Sequence, residues 1–172
     1  RPASTLSWRS LAFYKLPFGA AQLQFKSDGG ALALVAPAQV PLLNGGFALQ
    51  QLAWRPAADK QDRINASFAV TDLDVGALCK LFGWPQFPGT LAGAVPALRY
   101  NGDSVMFDGG LSVNVFGGFV DVTSLALQQP FGVAPVMTAD IDLHQLDLGQ
   151  VTGVFDFGSI TGKLDGTIHG LK

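Results

Sequence analysis

The chain has 172 residues, enough for one domain with a sizeable core or for two repeat units sharing one, and a net charge of −2 at pH 7. Hydrophobic residues make up 48% and charged residues only 14%, against about 25% charged in an ordinary soluble domain, which excludes disorder and leaves apolar surface to be covered by a partner, a neighbouring repeat or a lipid. No basic patch with interleaved aromatics is present, so nucleic acid is not an expected partner, and the single Cys79 excludes an internal disulfide.

All 13 acidic residues are Asp, and Gly occurs 21 times. Glu favours helix interiors whereas Asp and Gly favour turns and strand ends, so short strands joined by tight turns are expected. Leu23 and Phe25 alternate with Gln24 and Lys26 before a turn at Ser27–Gly30. Ala31 to Val35 is apolar on both faces, and Pro37 and Pro41 are expected to end regular pairing there. Phe47 to Trp54 reads as a strand and Ala57 to Asp62 as a polar hairpin loop. Ile64, Ala66, Phe68 and Val70 then share one face, opposite Asn65, Ser67 and Thr71. From Asp74 to Gly83 the alternation breaks: Val75, Leu78, Leu81 and Phe82 recur at helical spacing, and Pro85 and Pro88 stop that helix.

A second series opens with Val105 to Phe107 and an expected turn at Asp108–Gly109–Gly110, followed by Leu111, Val113 and Val115 on one face. Gly117–Gly118 interrupts, Phe119 to Leu127 continues, and 128–135 reads as a loop. Ile141 and Leu143 alternate with Asp140, Asp142 and His144, while Leu148, Val151 and Phe155 take helical spacing. Leu164, Gly166, Ile168 and Gly170 alternate with Lys163, Asp165, Thr167 and His169, a strand with a narrow inner face.

The two series are copies. Leu43–Phe47 aligns with Val115–Phe119 at an offset of 72, whereas Thr71–Gly76 aligns with His144–Gly149 and Gly89–Val95 with Gly162–Ile168 at 73, which implies one inserted residue. Trp84, Phe87 and Leu98 fall on Phe157, Ile160 and Leu171. A unit used twice points to a stacked architecture rather than a globule around one catalytic centre. The expected fold is mainly β: a curved antiparallel sheet, a β-groove or half-barrel, of two similar units with one short helix each. Residues 1–42 are read as leading strands of a preceding or partial repeat, 43–104 as the first unit and 105–172 as the second. The start at Arg1–Pro2 and the stop at Lys172, just after a strand, lead us to expect a fragment of a longer chain.

Chemistry-bearing residues are sparse. Asp140, Asp142 and His144 on one strand face form the best metal-site candidate, but residues two apart on a strand lie about 6.6–7 Å apart and need a second strand to reach one ion. A solvent-facing polar row is the reading we favour. His169 lacks an identifiable partner, Cys79 lies among Leu78, Leu81 and Phe82 as a buried thiol, and the Gly–Gly pairs at 29–30, 45–46, 109–110 and 117–118 lack the strand–helix context of a phosphate loop. Asn65–Ala66–Ser67 matches the glycosylation pattern, yet a strand interior is a poor acceptor. No catalytic residue, cofactor or metal is expected.

Phe157–Gly158–Ser159–Ile160–Thr161–Gly162–Lys163–Leu164–Asp165–Gly166–Thr167–Ile168–His169–Gly170–Leu171 resembles the Gly-punctuated strands of the bacterial AsmA-like superfamily, closest in style to its YdbH branch, whose domain carries a historical dicarboxylate-transport label. Leu143–Leu148 before a short helix, and Ile64–Leu98 with Pro85 and Pro88 as departures, are similar to the same group, so the resemblance covers the chain from Leu43 onward. It implies long repeating β-sheets curled into an apolar groove, anchored in the inner membrane of a Gram-negative bacterium and spanning the periplasm, where they carry phospholipid between inner and outer membranes. The implied partners are phospholipid acyl chains, neighbouring repeats of the same chain and an outer-membrane partner protein. On this reading Ile64, Phe68, Val70, Leu111, Val113, Val115, Ile141, Leu143, Leu164 and Ile168 line one dry, lipid-facing strip. The competing expectations are a non-catalytic β-sandwich or barrel serving as scaffold or adhesion module, whose apolar face is core, and an enzyme using Asp140, Asp142 and His144.

Overall fold

A computed structural model describes residues 4–13, 15–56, 63–156, 158 and 161–171. The expected loop at Ala57–Asp62 and the repeat positions Phe157 and Ile160 lie outside these residues.

The described residues form a mainly β fold, one open antiparallel sheet with two short helices. In chain order the strands are β1 (Ser4–Trp8), β2 (Leu11–Phe13), β3 (Leu16–Phe18), β4 (Ala21–Asp28), β5 (Ala31–Leu34), β6 (Ala38–Leu42), β7 (Gly45–Trp54), β8 (Ile64–Asp74), β9 (Gly89–Tyr100), β10 (Ser104–Val115), β11 (Gly118–Gln128), β12 (Val136–Asp147) and β13 (Lys163–Leu171). Helix α1 (Val75–Phe82) follows β8 and α2 (Leu148–Phe155) follows β12. From β7 to β13 each strand pairs with the next in sequence, the topology that short, strongly alternating segments joined by tight turns reach most easily.

The amino-terminal third is built differently. Strand β7 is long enough to take two partners: β6 pairs its first half (Leu42↔Gly45 through Ala38↔Leu49), and β5 pairs its far end (Leu32↔Trp54, Ala33↔Ala53). The sheet therefore forks into a β5–β4–β1 branch and a β6–β3–β2 branch. Pro41 does not end pairing as expected; it sits inside β6 opposite Gly46, and its carbonyl accepts from the Gly19 amide at 2.7 Å. A strand that pairs with β3 through the single couple Phe18↔Leu42 loses little by lacking one donor.

The expected turn at Asp108–Gly109–Gly110 is a bulge inside one continuous strand. The register of β10 shifts there against both β9 and β11. Gly109 takes φ +91, and a Cβ on it would collide with the Ala94 carbonyl oxygen and lie 2.7 Å from Pro96 Cδ. Only glycine fits such a close approach in that conformation.

The repeat is real, and its offset is 73 throughout. The Asp74 amide donates to the Leu43 carbonyl, and 73 positions later the Asp147 amide donates to that of Phe116. Gly118, not Gly117, is the counterpart of Gly45: a Cβ on Gly45 would strike the Thr71 and Asp72 carbonyls, and one on Gly118 those of His144 and Gln145. The positive-φ pairs Leu43/Phe116, Asn44/Gly117 and Asp72/Gln145 keep the same spacing. No inserted residue separates the copies. Each begins at its hairpin, β6–β7 or β10–β11, runs through β8 or β12 and the helix, and ends in β9 or β13.

The helices start and stop on local chemistry. The Asp74 carboxylate accepts from the Ala77 amide at 3.2 Å, and that of Asp147 accepts from Gly149 and Gln150 at 2.8 and 3.3 Å. Gly83 and Asp156 end them in the left-handed conformation, each amide returning to a carbonyl of the last turn. Both helices lie at one end of the strands, where Phe87, Phe116 and Phe155 meet with ring centres 5.0, 5.9 and 6.2 Å apart and tie the two copies together. The core centres on Leu42, Val70 and Leu73, packed by Phe18, Phe47, Phe68, Leu91 and Leu111. Strands as distant in the sheet as β3 and β10 thus meet on one side, which is the sense in which the sheet curves.

Candidate functional site

Residues paired across antiparallel strands project to the same side of a sheet. Following that rule, one row runs Phe47, Val70, Gly93, Leu111, Val122, Ile141, Ile168 from β7 to β13. The next runs Leu73, Leu91, Val113, Val120, Leu143, Gly166. The first row spans six strand steps, roughly 29 Å at about 4.8 Å per step. None of its members, nor of the second row, carries a polar side chain.

All ten residues proposed from the sequence project to this face. Val70, Leu111, Ile141 and Ile168 lie in the first row, and Val113 and Leu143 in the second. Phe68 and Ile64 continue the alternation of β8 beyond Val70, Val115 sits at the helix end opposite Gly89, and Leu164 faces Leu146. Their burial grades along the sheet. Val70 and Val115 are 8% and 7% exposed, whereas Ile168, on the last strand, is 41% exposed. Within the described residues β13 pairs only with β12.

Several residues of this face were not singled out from sequence. Val120 and Val122 alternate with Asp121 and Thr123, a signal that was there to read. Phe107 and Leu125 join Phe68, Val95, Leu111 and Val122 around a small cavity of about 40 Å³. Counting back from Leu111 places Phe107 on this face once 108–110 is seen to be strand rather than turn, whereas the irregularity at Ser124 resets the alternation between Val122 and Leu125. Gly93 takes the third place of the first row because a Cβ there would strike the Gly110 carbonyl oxygen and come 2.8 Å from Leu111 Cα.

The ends of the face differ. At the helix end, Val75 of α1 and Val115 close over Gly89: a Cβ on Gly89 would lie 3.4 and 3.5 Å from their Cβ atoms. At the amino-terminal fork, Trp8, Leu11, Phe18, Leu23, Val40, Phe47 and Leu49 enclose an apolar cavity of about 240 Å³.

The opposite face is polar, with a row Ala92, Ser112, Asp121, Asp142, Thr167. The three residues weighed as a metal site lie here, and each turns to its own neighbour. Asp140 accepts from the Gly170 amide at 2.9 Å and lies 3.5 Å from His169 Nδ1. Asp142 accepts from the Thr167 hydroxyl at 2.8 Å. His144 stacks on Phe119 with ring centres 4.4 Å apart, and its Nε2 lies 3.6 Å from Asp121. Among the described residues no three His, Cys, Asp or Glu side chains converge to hold a metal. The Gly170 amide first, then the Ser124 hydroxyl, hold the Asp140 carboxyl below its ordinary pKa, with a smaller pull from His169. Cys79 is fully buried in α1, so its thiol has no access to a substrate.

Searches of protein-family models, curated proteins and solved structures returned no match to this chain. Among the described residues no helix is long and apolar enough to cross a membrane.

Proposed function

We propose that this chain is a non-catalytic segment of an apolar β-trough that shelters phospholipid acyl chains and passes them along the sheet. The observation that carries the reading is the uninterrupted apolar row from Phe47 to Ile168, crossing seven strands on one side. A bilayer's hydrocarbon core is about 30 Å thick, so one leaflet's tails reach about 15 Å and a row of roughly 29 Å holds them with room to slide. Each sheltered CH₂ is favoured by about 0.8 kcal/mol over water, so transfer needs no reactive group, and a face without a polar anchor has nothing to arrest a moving tail.

Headgroups stay at the mouth of the trough in water. Paired backbone groups leave the face without free donors or acceptors, which favours hydrocarbon over peptide as its guest. The similarity to AsmA-like proteins noted in the sequence supports the wider setting: a longer chain anchored in the inner membrane of a Gram-negative bacterium, with further repeats extending the trough across the periplasm toward an outer-membrane partner. Purification from membranes followed by native mass spectrometry tests the core of the proposal. Phospholipid retained in stoichiometric amount is the expected result, and a protein that sheds no lipid under gentle activation contradicts it.

A β scaffold is the competing reading, and one observation favours it. The space between Phe68, Val95, Phe107 and Leu125 is only about 40 Å³, so the middle of the face is nearly filled by the protein's own side chains. The lipid reading requires those rings to swing aside or the tails to lie over them.

A further inference from the structure

We propose that the fork between the two amino-terminal branches of the sheet is a pocket that takes the methyl end of a phospholipid acyl chain. The proposal deepens the trough reading and rests on it.

The pocket exists because β7 changes partners part-way along its length. Trp8 and Leu23 come from one branch, Leu11, Phe18 and Val40 from the other, and Phe47 and Leu49 from β7 itself. The branches diverge, and about 240 Å³ opens between them with no polar surface in its wall. The one polar atom on its aromatic side chains is already satisfied: Trp8 Nε1 donates to the Gly19 carbonyl at 2.7 Å. An open apolar space of this kind favours an apolar guest over water, and about 150 Å³ is already enough for a benzene-sized molecule.

The choice of guest follows from where the pocket opens. Phe47 belongs both to its wall and to the first apolar row, so a molecule entering from the trough remains in contact with the trough behind it. The guest must fit about 240 Å³ and be apolar where it enters. A peptide would bring unpaired amides over a face whose own backbone groups are used in strand pairing, at a cost of several kcal/mol each. A headgroup would leave its charge against Phe18 and Leu23. An acyl tail meets both requirements.

The test uses Trp8 as the reporter. Trp54 and Trp84 are both well exposed, so a Trp54→Phe/Trp84→Phe protein keeps its fold and leaves Trp8 as the only tryptophan. It is mixed with vesicles of phosphatidylcholine brominated either at the acyl-chain end or close to the carbonyl. A photo-crosslinking residue at Val113 reports lipid in the trough in parallel. Chain-end bromine should remove most of the Trp8 emission and carbonyl-proximal bromine little of it. Leu11→Arg, which puts a charge at an exposed rim position, should abolish the quenching while Val113 still captures lipid. Lipid captured at Val113 with Trp8 unquenched, quenched equally by both lipids, or quenched unchanged in Leu11→Arg overturns the pocket and leaves the trough standing. No capture at Val113 and no quenching overturns both.

Discussion

The two copies of the repeat share one backbone but not one surface. Where the backbone is demanding, they agree: an Asp caps each helix, a glycine sits beneath a pair of carbonyls at 45 and 118, and an αL residue ends each helix at 83 and 156. On the face opposite the apolar rows they diverge. Ser67, Ala69 and Thr71 of the first copy become Asp140, Asp142 and His144 in the second. Buried positions tolerate exchange when geometry allows: Cys79, fully buried in α1, corresponds to Thr152 in α2, whose hydroxyl finds the Leu148 carbonyl at 2.9 Å. The apolar face is retained by both copies.

The largest effect expected from this comparison is at the two glycines that lie against backbone carbonyls. Gly45→Ala and Gly118→Ala each force a Cβ into backbone and should cost about 3 kcal/mol, read as a fall in urea midpoint. Gly46→Ala, with open space around it, should stay within about 1 kcal/mol of the parent. Equal losses at Gly45 and Gly46 would break the equivalence drawn here.

Capping comes next. Asp147→Ala and Asp74→Ala should each cost about 1 kcal/mol, with the greater loss at Asp147, which holds two amides against one. At the other helix end the copies should answer in opposite directions: Asp156→Gly stabilises and Gly83→Ala destabilises, each by about 1 kcal/mol, because both sites are left-handed.

The smallest effect is electrostatic and belongs to the second copy alone. Asp140 titrates below its unfolded value because the Gly170 amide and the Ser124 hydroxyl stabilise the carboxylate. Its contribution is therefore complete above the unfolded pKa, near 3.8, and is lost as pH falls through the lower folded value. Asp140→Asn should speed exchange of the Gly170 amide at neutral pH and flatten the acid limb of its pH dependence. An unchanged exchange rate would remove this bond from the account.

The sequence made the strands of the repeats, both helices and the ten apolar positions legible because alternation and capping are local signals. What it hid was non-local. Asp108–Gly109–Gly110 has the composition of a turn, and only the Ala94 carbonyl pressing on Gly109 makes it a bulge. Reading a turn there cut Phe107 off from Leu111, and a separate irregularity at Ser124 shifts the parity of Leu125. The offset of 72 arose because adjacent glycines at 45–46 and 117–118 align in two registers; the carbonyls of 71–72 and 144–145 decide between them. The amino-terminal fork had no signature, since no local pattern says that β7 will take two partners.

The most direct measurement compares two adjacent residues. A photo-crosslinking amino acid at Val113 projects to the apolar face, and at Ser112 to the polar one, on the same strand a residue apart. The account predicts phospholipid adducts at Val113, and likewise at Phe68 and Ile141, with none at Ser112. Adducts only to protein at the three apolar positions, or lipid adducts of equal yield at Ser112, would contradict it.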